Sequence, residues 1–300
     1  MVSDKVMADR DVKMTDFHHA DDIIGIESMK ADGIGPGQII RHRADGSLEY
    51  QRDELTIEEP LEIRVGEKTI AATMRTPGHD EELAAGFLLS EGIIRSNDRI
   101  VRCSRPKSAR NRENVVIVHL LAKTRIAAKS AKRFGTISTS CGICGKESIE
   151  AIRQDFPPIE STSFRIDIQT LLSFPQLLRE HQSDFARTGG IHAAGLFDSA
   201  GKALIVREDI GRHNAVDKAI GRAFLDGKLP LDRHILLVSG RASFEIMQKA
   251  LAAGIPIVGS VSAPSSLAME FARESNQTLI GFLRPPSFNI YSHVERIILD

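Results

Sequence analysis

The chain has 300 residues, 42% hydrophobic and 26% charged, an ordinary globular composition with room for about two domains of roughly 150 residues. A formal charge of −1 disfavours nucleic-acid binding driven by bulk charge, and three cysteines do not make a disulfide framework. No stretch approaches the about 18 apolar residues of a membrane span, and the first thirty residues lack an apolar signal core, so a soluble protein of a reducing, cytoplasmic compartment is expected.

Residues 1–43 show little periodicity and end near the cluster Gly33-Ile34-Gly35-Pro36-Gly37. Too little apolar surface is present to offset ordering, which predicts a mobile extension. A small β-rich domain is expected over 44–125. Leu61-Glu62-Ile63-Arg64-Val65 alternates as a half-buried strand should, and Gly66-Glu67 supplies a tight turn into a second strand over 68–75. Pro77-Gly78 ends that strand. Asp80 is placed to cap a helix over 81–90, with Leu83, Ala84, Phe87 and Leu88 on one face. A further strand is expected over 115–121.

A basic, Ala-rich run over 123–133, with helical character, leads to a small, glycine-punctuated loop, Gly135 to Gly145, that contains Cys141-Gly-Ile-Cys144. Helices follow over 146–156 and 167–185. From Gly189 onward strands and helices alternate. A hairpin is expected over 193–207, helices over 213–225, 244–253 and 265–274, and strands over 235–238, 257–261 and 278–283. This βαβαβ run predicts a parallel sheet whose ligands collect beyond the carboxyl ends of its strands.

Chemistry has three candidate places. The first is Cys141 and Cys144. A zinc site needs four ligands, and the only other cysteine, Cys103, lies 38 residues upstream of Cys141. A redox dithiol, a zinc site and an incidental pair all remain open beside a nucleophilic thiolate. The thiolate is favoured by a helix expected to start near Lys146, whose N-terminus and ammonium lower a thiol pKa. The second is the charged run from Arg207 to Lys218. Asn214 is a possible cap, Asp217 stands one turn from His213 and suits its orientation, and Arg207 and Arg212 either hold an anion or neutralise Glu208 and Asp209. The third is the set of strand-to-helix turns, Ser239-Gly240-Arg241, Ser260-Val-Ser262-Ala-Pro264-Ser265-Ser266 and Arg284-Pro285-Pro286. Their N–H groups, hydroxyls and guanidinium suit a phosphate-bearing ligand, although neither a Walker A sequence nor GxGxxG is present.

Ser138-Thr-Ser140-Cys141-Gly-Ile-Cys144-Gly, Thr188-Gly-Gly-Ile-His192, Arg207-Glu-Asp-Ile-Gly-Arg-His213-Asn-Ala-Val-Asp-Lys, Ser239-Gly-Arg241-Ala-Ser and Phe288-Asn-Ile-Tyr-Ser-His293 occur in one order. Together they resemble the formate dehydrogenase accessory sulfurtransferases, the FdhD-type family, from about Leu55 to the C-terminus. The resemblance implies a mixed α/β protein with a cytidine-deaminase-like α/β/α core over 126–300. It implies a sulfurtransferase that takes persulfide sulfur from a cysteine desulfurase and passes it to the molybdenum cofactor, bis-molybdopterin guanine dinucleotide, for the formate dehydrogenase catalytic subunit. Cys141 matches the persulfide carrier and Cys144 its supporting thiol. Phe282, Leu283, Arg284, Pro285, Pro286 and Ser287 match the segment that contacts the nucleotide part, and a guanine nucleotide is the expected mimic. Ser239, Gly240, Arg241, Ser262 and His213 are the further candidates for cofactor contact. A homodimer is implied, with neither nucleic acid nor membrane as a partner and no resident metal. Cys141 and Cys144 precede His192, which lacks the His-x-Glu of a zinc deaminase, so deamination does not follow from the fold. A zinc-dependent nucleotide hydrolase and a non-catalytic cofactor holder are the rival readings.

Overall fold

The computed structural model describes residues 33–107, 112–121, 156–160 and 163–299. The loop with Cys141 and Cys144, the basic run after 122 and, apart from Phe156, the helix expected over 146–156 lie outside the described residues, as do residues 1–32.

Residues 34–42, within the stretch expected to be a mobile extension, form a strand. Strand β1 (Ile34–His42) pairs antiparallel with β2 (Leu48–Thr56), so residue 43 lies in a hairpin turn and not at a boundary. The glycines that suggested mobility instead let the strands approach. A Cβ on Gly37 would sit 2.7 Å from Leu55 Cδ1, and Gly33, at φ 68°, turns its carbonyl to accept from the Ile57 N–H. Ile34 is buried and anchors the base of the hairpin.

A four-stranded sheet follows, in the order β4-β3-β6-β5. β3 (Glu59–Val65) and β4 (Lys68–Arg75) form the expected hairpin, with Gly66 at φ 59° in its turn. β5 (Ile100–Ser104) is antiparallel to β6 (Val115–Leu120), which runs parallel to β3. Leu61 and Ile63 point inward while Glu62 and Arg64 pair at the surface. Helix α1 (Asp80–Ser90) is covered on nearly every side, not on one face, because sheet and a second helix enclose it. Asp80 is also not its cap. His79 takes that position in the left-handed region, and the Asp80 carboxylate is buried between Arg75 Nε at 2.9 Å and Arg105 Nη2 at 2.7 Å.

The second half is an α/β/α sandwich. A short strand, β7 (Ile166–Asp167), leads into α2 (Ile168–Glu180) and α3 (Ser183–Thr188), two helices where one is expected over 167–185; the chain turns at His181 and Gln182. The main sheet contains β8 (His192–Phe197), β9 (Ala203–Asp209), β10 (Ile235–Val238), β11 (Ile257–Ser260), β12 (Thr278–Arg284) and β13 (Ser287–Ser292), in the order β13-β12-β11-β10-β8-β9. β10, β11 and β12 are parallel, as the βαβαβ pattern predicts, and the outer pairings are antiparallel. Helices α4 (Arg212–Leu225), α5 (Phe244–Ala252) and α6 (Ser266–Glu274) lie on the face opposite α2, and β14 (Ile297–Ile298) pairs with β7.

Alternation along the strands builds two cores. Ile235, Leu237, Ile257 and Ile280 pack toward Leu171, Phe174 and Leu178 of α2. Leu236, Val238, Val258 and Leu279 belong to the larger cluster with Val216, Ile220 and Met247, and that cluster continues without a break to Leu61, Ile63, Leu83 and Leu88. Buried on both faces, β10 needs no polar residue, which is why its sequence reads Ile-Leu-Leu-Val.

Candidate functional site

The carboxyl ends of β10, β11 and β12 form one rim. Val261 N–H donates to Val238 O at 3.0 Å, Ser260 Oγ to Gly240 O at 2.7 Å, Phe282 N–H to Ser262 O at 3.0 Å and Arg284 Nε to Val261 O at 2.8 Å. Ser239 ties this rim to β8, its N–H donating to Ala193 O and its Oγ accepting from Ala193 N–H. The structure thus gathers Ser239, Gly240, Ser262, Phe282 and Arg284, with Arg241 exposed beside them. Within the segment 282–287 the side chains divide. Phe282, at φ 51° and 43% exposed, projects outward at an irregularity in β12. Leu283 is 0% exposed and packs in the core, so it offers a ligand only its backbone. Pro285 and Pro286 form the turn into Ser287, which pairs with Arg284.

The charged run from Arg207 to Lys218 is chiefly a fastening between the two halves. Arg207 grips Glu82 of α1 with Nε at 2.5 Å and Nη2 at 2.9 Å. Glu208 accepts the N–H groups of Asp184 and Phe185, and burial raises its carboxyl pKa. Asp209 is fully buried and accepts from Lys218 Nζ at 2.7 Å, from the N–H groups of Thr76 and Gly211, and from Asn214 Nδ2. Asn214 is therefore not the cap of α4; Gly211 holds that position, and the Asn214 amide reaches Met74 O at 2.7 Å. Asp217 does not orient His213. Its carboxylate receives Lys249 Nζ at 2.7 Å and Ser90 Oγ at 2.9 Å, one turn further along the helix. Burial alone pulls the Lys249 pKa down, but Asp217 and Glu91 more than reverse that and keep it charged. His213, 5% exposed, bonds instead to Ser243 Oγ at 3.2 Å and Glu245 Oε2 at 2.9 Å.

Two cavities open along the rim. A groove of about 590 Å³ runs between α2 and the strand ends, lined among others by Phe185, Gly190, Ile191, His192, Ser239 and Val261. Arg179 stacks 4.0 Å above the Phe185 ring at its side. The volume lies in the range of small-molecule sites. His192 and Ile210 also line a pocket of about 130 Å³, with Glu58, Met74, Gly211, Arg212 and His213. Arg212 is one of the two arginines that the sequence offers as anion holders, whereas His192 is the residue that sequence reasoning did not select for the site. The signal for His192 was present in the Thr188–His192 motif, but its meeting with Arg212 depends on the antiparallel pairing of β8 with β9, which sets His192 opposite Asp209.

Cys103 sits in β5, where burial, and next the Glu81 carboxylate, push its thiol pKa up to about 12. It is a poor nucleophile there. Among the described residues no group of three or more His, Cys, Asp or Glu side chains is placed to hold a metal ion, and no helix is long and apolar enough to cross a membrane.

The chain is a mixed α/β protein with a groove of small-molecule size at the carboxyl rim of its central strands. The fold matches the crystal structure of a protein from Desulfotalea psychrophila described as a formate dehydrogenase accessory protein, with a TM-score of 0.71 and 23% identity, covering 89% of this chain and 100% of that one. Residues 56–298 match the model of the FdhD/NarQ family. A relative from Streptomyces coelicolor, named sulfur carrier protein FdhD, is 48% identical over 268 residues, 87% of this chain and 95% of its own length. Relatives of the same name from Mycobacterium tuberculosis and Thermoplasma volcanium are 45% and 44% identical, over 86% and 85% of this chain and 96% and 92% of theirs. The chain belongs to the FdhD/NarQ family.

Proposed function

We propose that this protein is a sulfurtransferase that carries sulfur as a persulfide on Cys141. The observation that carries this reading is an elimination. The chain has three cysteines, its relatives are named sulfur carriers, and Cys103 is held as a thiol by its pKa of about 12. The carrier is then Cys141 or Cys144, and Cys141 is the position matching the carrier in the resembling family.

The Cys141 thiolate attacks the outer sulfur of a cysteine desulfurase persulfide. A new S–S bond forms, the donor's S–S bond breaks, and the donor cysteine leaves as thiolate. The acceptor then supplies the electron pair that breaks the Cys141–S bond to the outer sulfur, and Cys141 leaves as thiolate in turn. The acceptor in this reading is the bis-guanylyl molybdenum cofactor, bound as substrate along the rim at Ser239–Arg241, Ser262 and residues 282–287, before it enters formate dehydrogenase. The groove and the cationic Arg284 beside it support a nucleotide-bearing ligand. Cys144 assists as second thiol, and the protein acts in the cytoplasm as a homodimer.

Intact mass after incubation with a cysteine desulfurase and cysteine tests the carrier step. A gain of one reductant-labile sulfur is expected on the wild type and on Cys103→Ser, and is lost in Cys141→Ala, which also fails to mature formate dehydrogenase. An equal gain in Cys141→Ala overturns the assignment. Full maturation with both Cys141 and Cys144 removed makes the protein a cofactor holder instead.

A further inference from the structure

We propose that the pocket of about 130 Å³ at the start of α4 is a binding site for a phosphate-sized oxyanion, held by Arg212, His192 and the first-turn N–H groups of the helix. The inference deepens the reading above, on which it rests only for the biological source of the oxyanion.

Arg212 is the starting point. Arg75 and Arg207 find acceptors through Nε and Nη, and Arg296 through both Nη groups although its Nε is unpartnered; Arg212 makes no side-chain hydrogen bond or ion pair at all among the described residues, and its Nε is buried without a partner. A buried guanidinium N–H left unpaired is costly, and unlike Arg296 the wholly unpaired Arg212 lines a pocket in which an acceptor not made of protein can sit. Around it the acceptors are already engaged. Asp209 is taken by Lys218, Asn214 and two backbone N–H groups, and Glu245 by His213. Glu58, exposed at the mouth, is the one opposing carboxylate in the lining, and it forms no ion pair with Arg212.

Burial, then the Arg212 charge and then His213 lower the His192 pKa. Helix α4 adds the N–H groups of Arg212, His213 and Asn214, which lack an intrahelical acceptor and receive no side-chain cap. Gly240 leaves the space for this grouping: a Cβ there would lie 3.3 Å from the His192 ring and 3.5 Å from Arg212 Cδ.

Size selects the ligand. A pocket of about 130 Å³ has room for one tetrahedral oxyanion. It joins the larger groove at His192 and Ile210, so a planar ring in the groove can send a phosphate into the pocket. The arginine fork and helix N–H groups match that geometry.

The test is calorimetric titration of the full chain with inorganic phosphate at low salt. Arg212→Gln is expected to weaken binding by about tenfold or more, Glu58→Gln to tighten it about two- to fivefold, and Arg43→Gln, on the hairpin turn, to leave it unchanged. No binding to the wild type, or equal binding to Arg212→Gln, overturns the site. Guanosine diphosphate, with guanosine as its control, separates the sources. Displacement of phosphate by the diphosphate alone identifies a nucleotide's phosphate, and simultaneous binding identifies a free oxyanion. Persulfide loading is measured on the wild type and on Arg212→Gln; loading that persists while phosphate binding is lost leaves the carrier reading intact, and a wild type that binds phosphate but takes up no sulfur refutes the carrier reading alone.

Discussion

Arg207 and Arg212 flank one strand-to-helix turn, and their surroundings give them different work. Arg207 is spent on Glu82. Burial alone would raise the Glu82 pKa, but the Arg207 hydrogen bonds overcome it, and with His79 they bring the carboxyl to about 2 from 4.5. A depressed carboxylate pKa contributes stability that is complete above about pH 4.5 and is lost as pH falls toward 2, here on the order of 3 kcal/mol. Glu82→Gln should therefore lower stability by about 3 kcal/mol at pH 7 and close most of its gap to the wild type by pH 2.5, measured by urea denaturation at both pH values. Cys103 gives a second residue-scale expectation. With its pKa near 12, roughly one thiol in ten thousand is ionised at pH 8, so Cys103 should resist iodoacetamide in the folded protein and react after unfolding, read by peptide mass. Equal labelling in both states would remove the elimination on which the carrier assignment stands.

Helices α1 and α4 meet with almost no side chain between them. A Cβ on Gly86 would lie 1.9 Å from Asp217 O, and one on Gly221 1.8 Å from Glu82 O, both against backbone that cannot yield. Gly221→Ala should cost about 3 kcal/mol or more, since the two helices must separate and carry the Asp217–Lys249–Ser90 cluster with them. Thermal unfolding measures the loss, and an unchanged melting temperature would mean that this crossing is not held as described. The element scale also shows how far periodicity reads. The spacing of His213 and Asp217 on α4 is helical, as expected, but each turns to a different neighbour: His213 to Ser243 and Glu245, Asp217 to Ser90 and Lys249. Local spacing says which side chains share a helix face; it carries no information about which distant element supplies the closer partner. Asp80 repeats the point, with the composition of a cap and the position of a buried ion-pair centre.

At the scale of the whole molecule, the β-rich platform and the sandwich share one apolar core, reinforced by Arg207–Glu82, Asn214–Met74 and Lys218–Thr76. They should unfold together in one calorimetric transition, and two separated transitions would contradict the shared core. The sequence by itself determined the mixed α/β class, the β3–β4 hairpin, the parallel order of β10 to β12 and the rim residues at their ends. These follow from period-two alternation, strand-length apolar runs and glycine or serine turns, all of them local chemistry. It also singled out Cys141 and Cys144 by spacing and flanking glycines, and the family by the order of its motifs. Only the tertiary structure decided that the 207–218 run is mostly a fastening, that Leu283 faces inward, and that His192 and Arg212 share a pocket. Each of those depends on groups that folding brings together from far apart in the chain, Glu82 with Arg207 and Ser90 with Asp217 among them. Burial then sets which of the charges must be satisfied within the protein, while Arg212 Nε is left there without a partner.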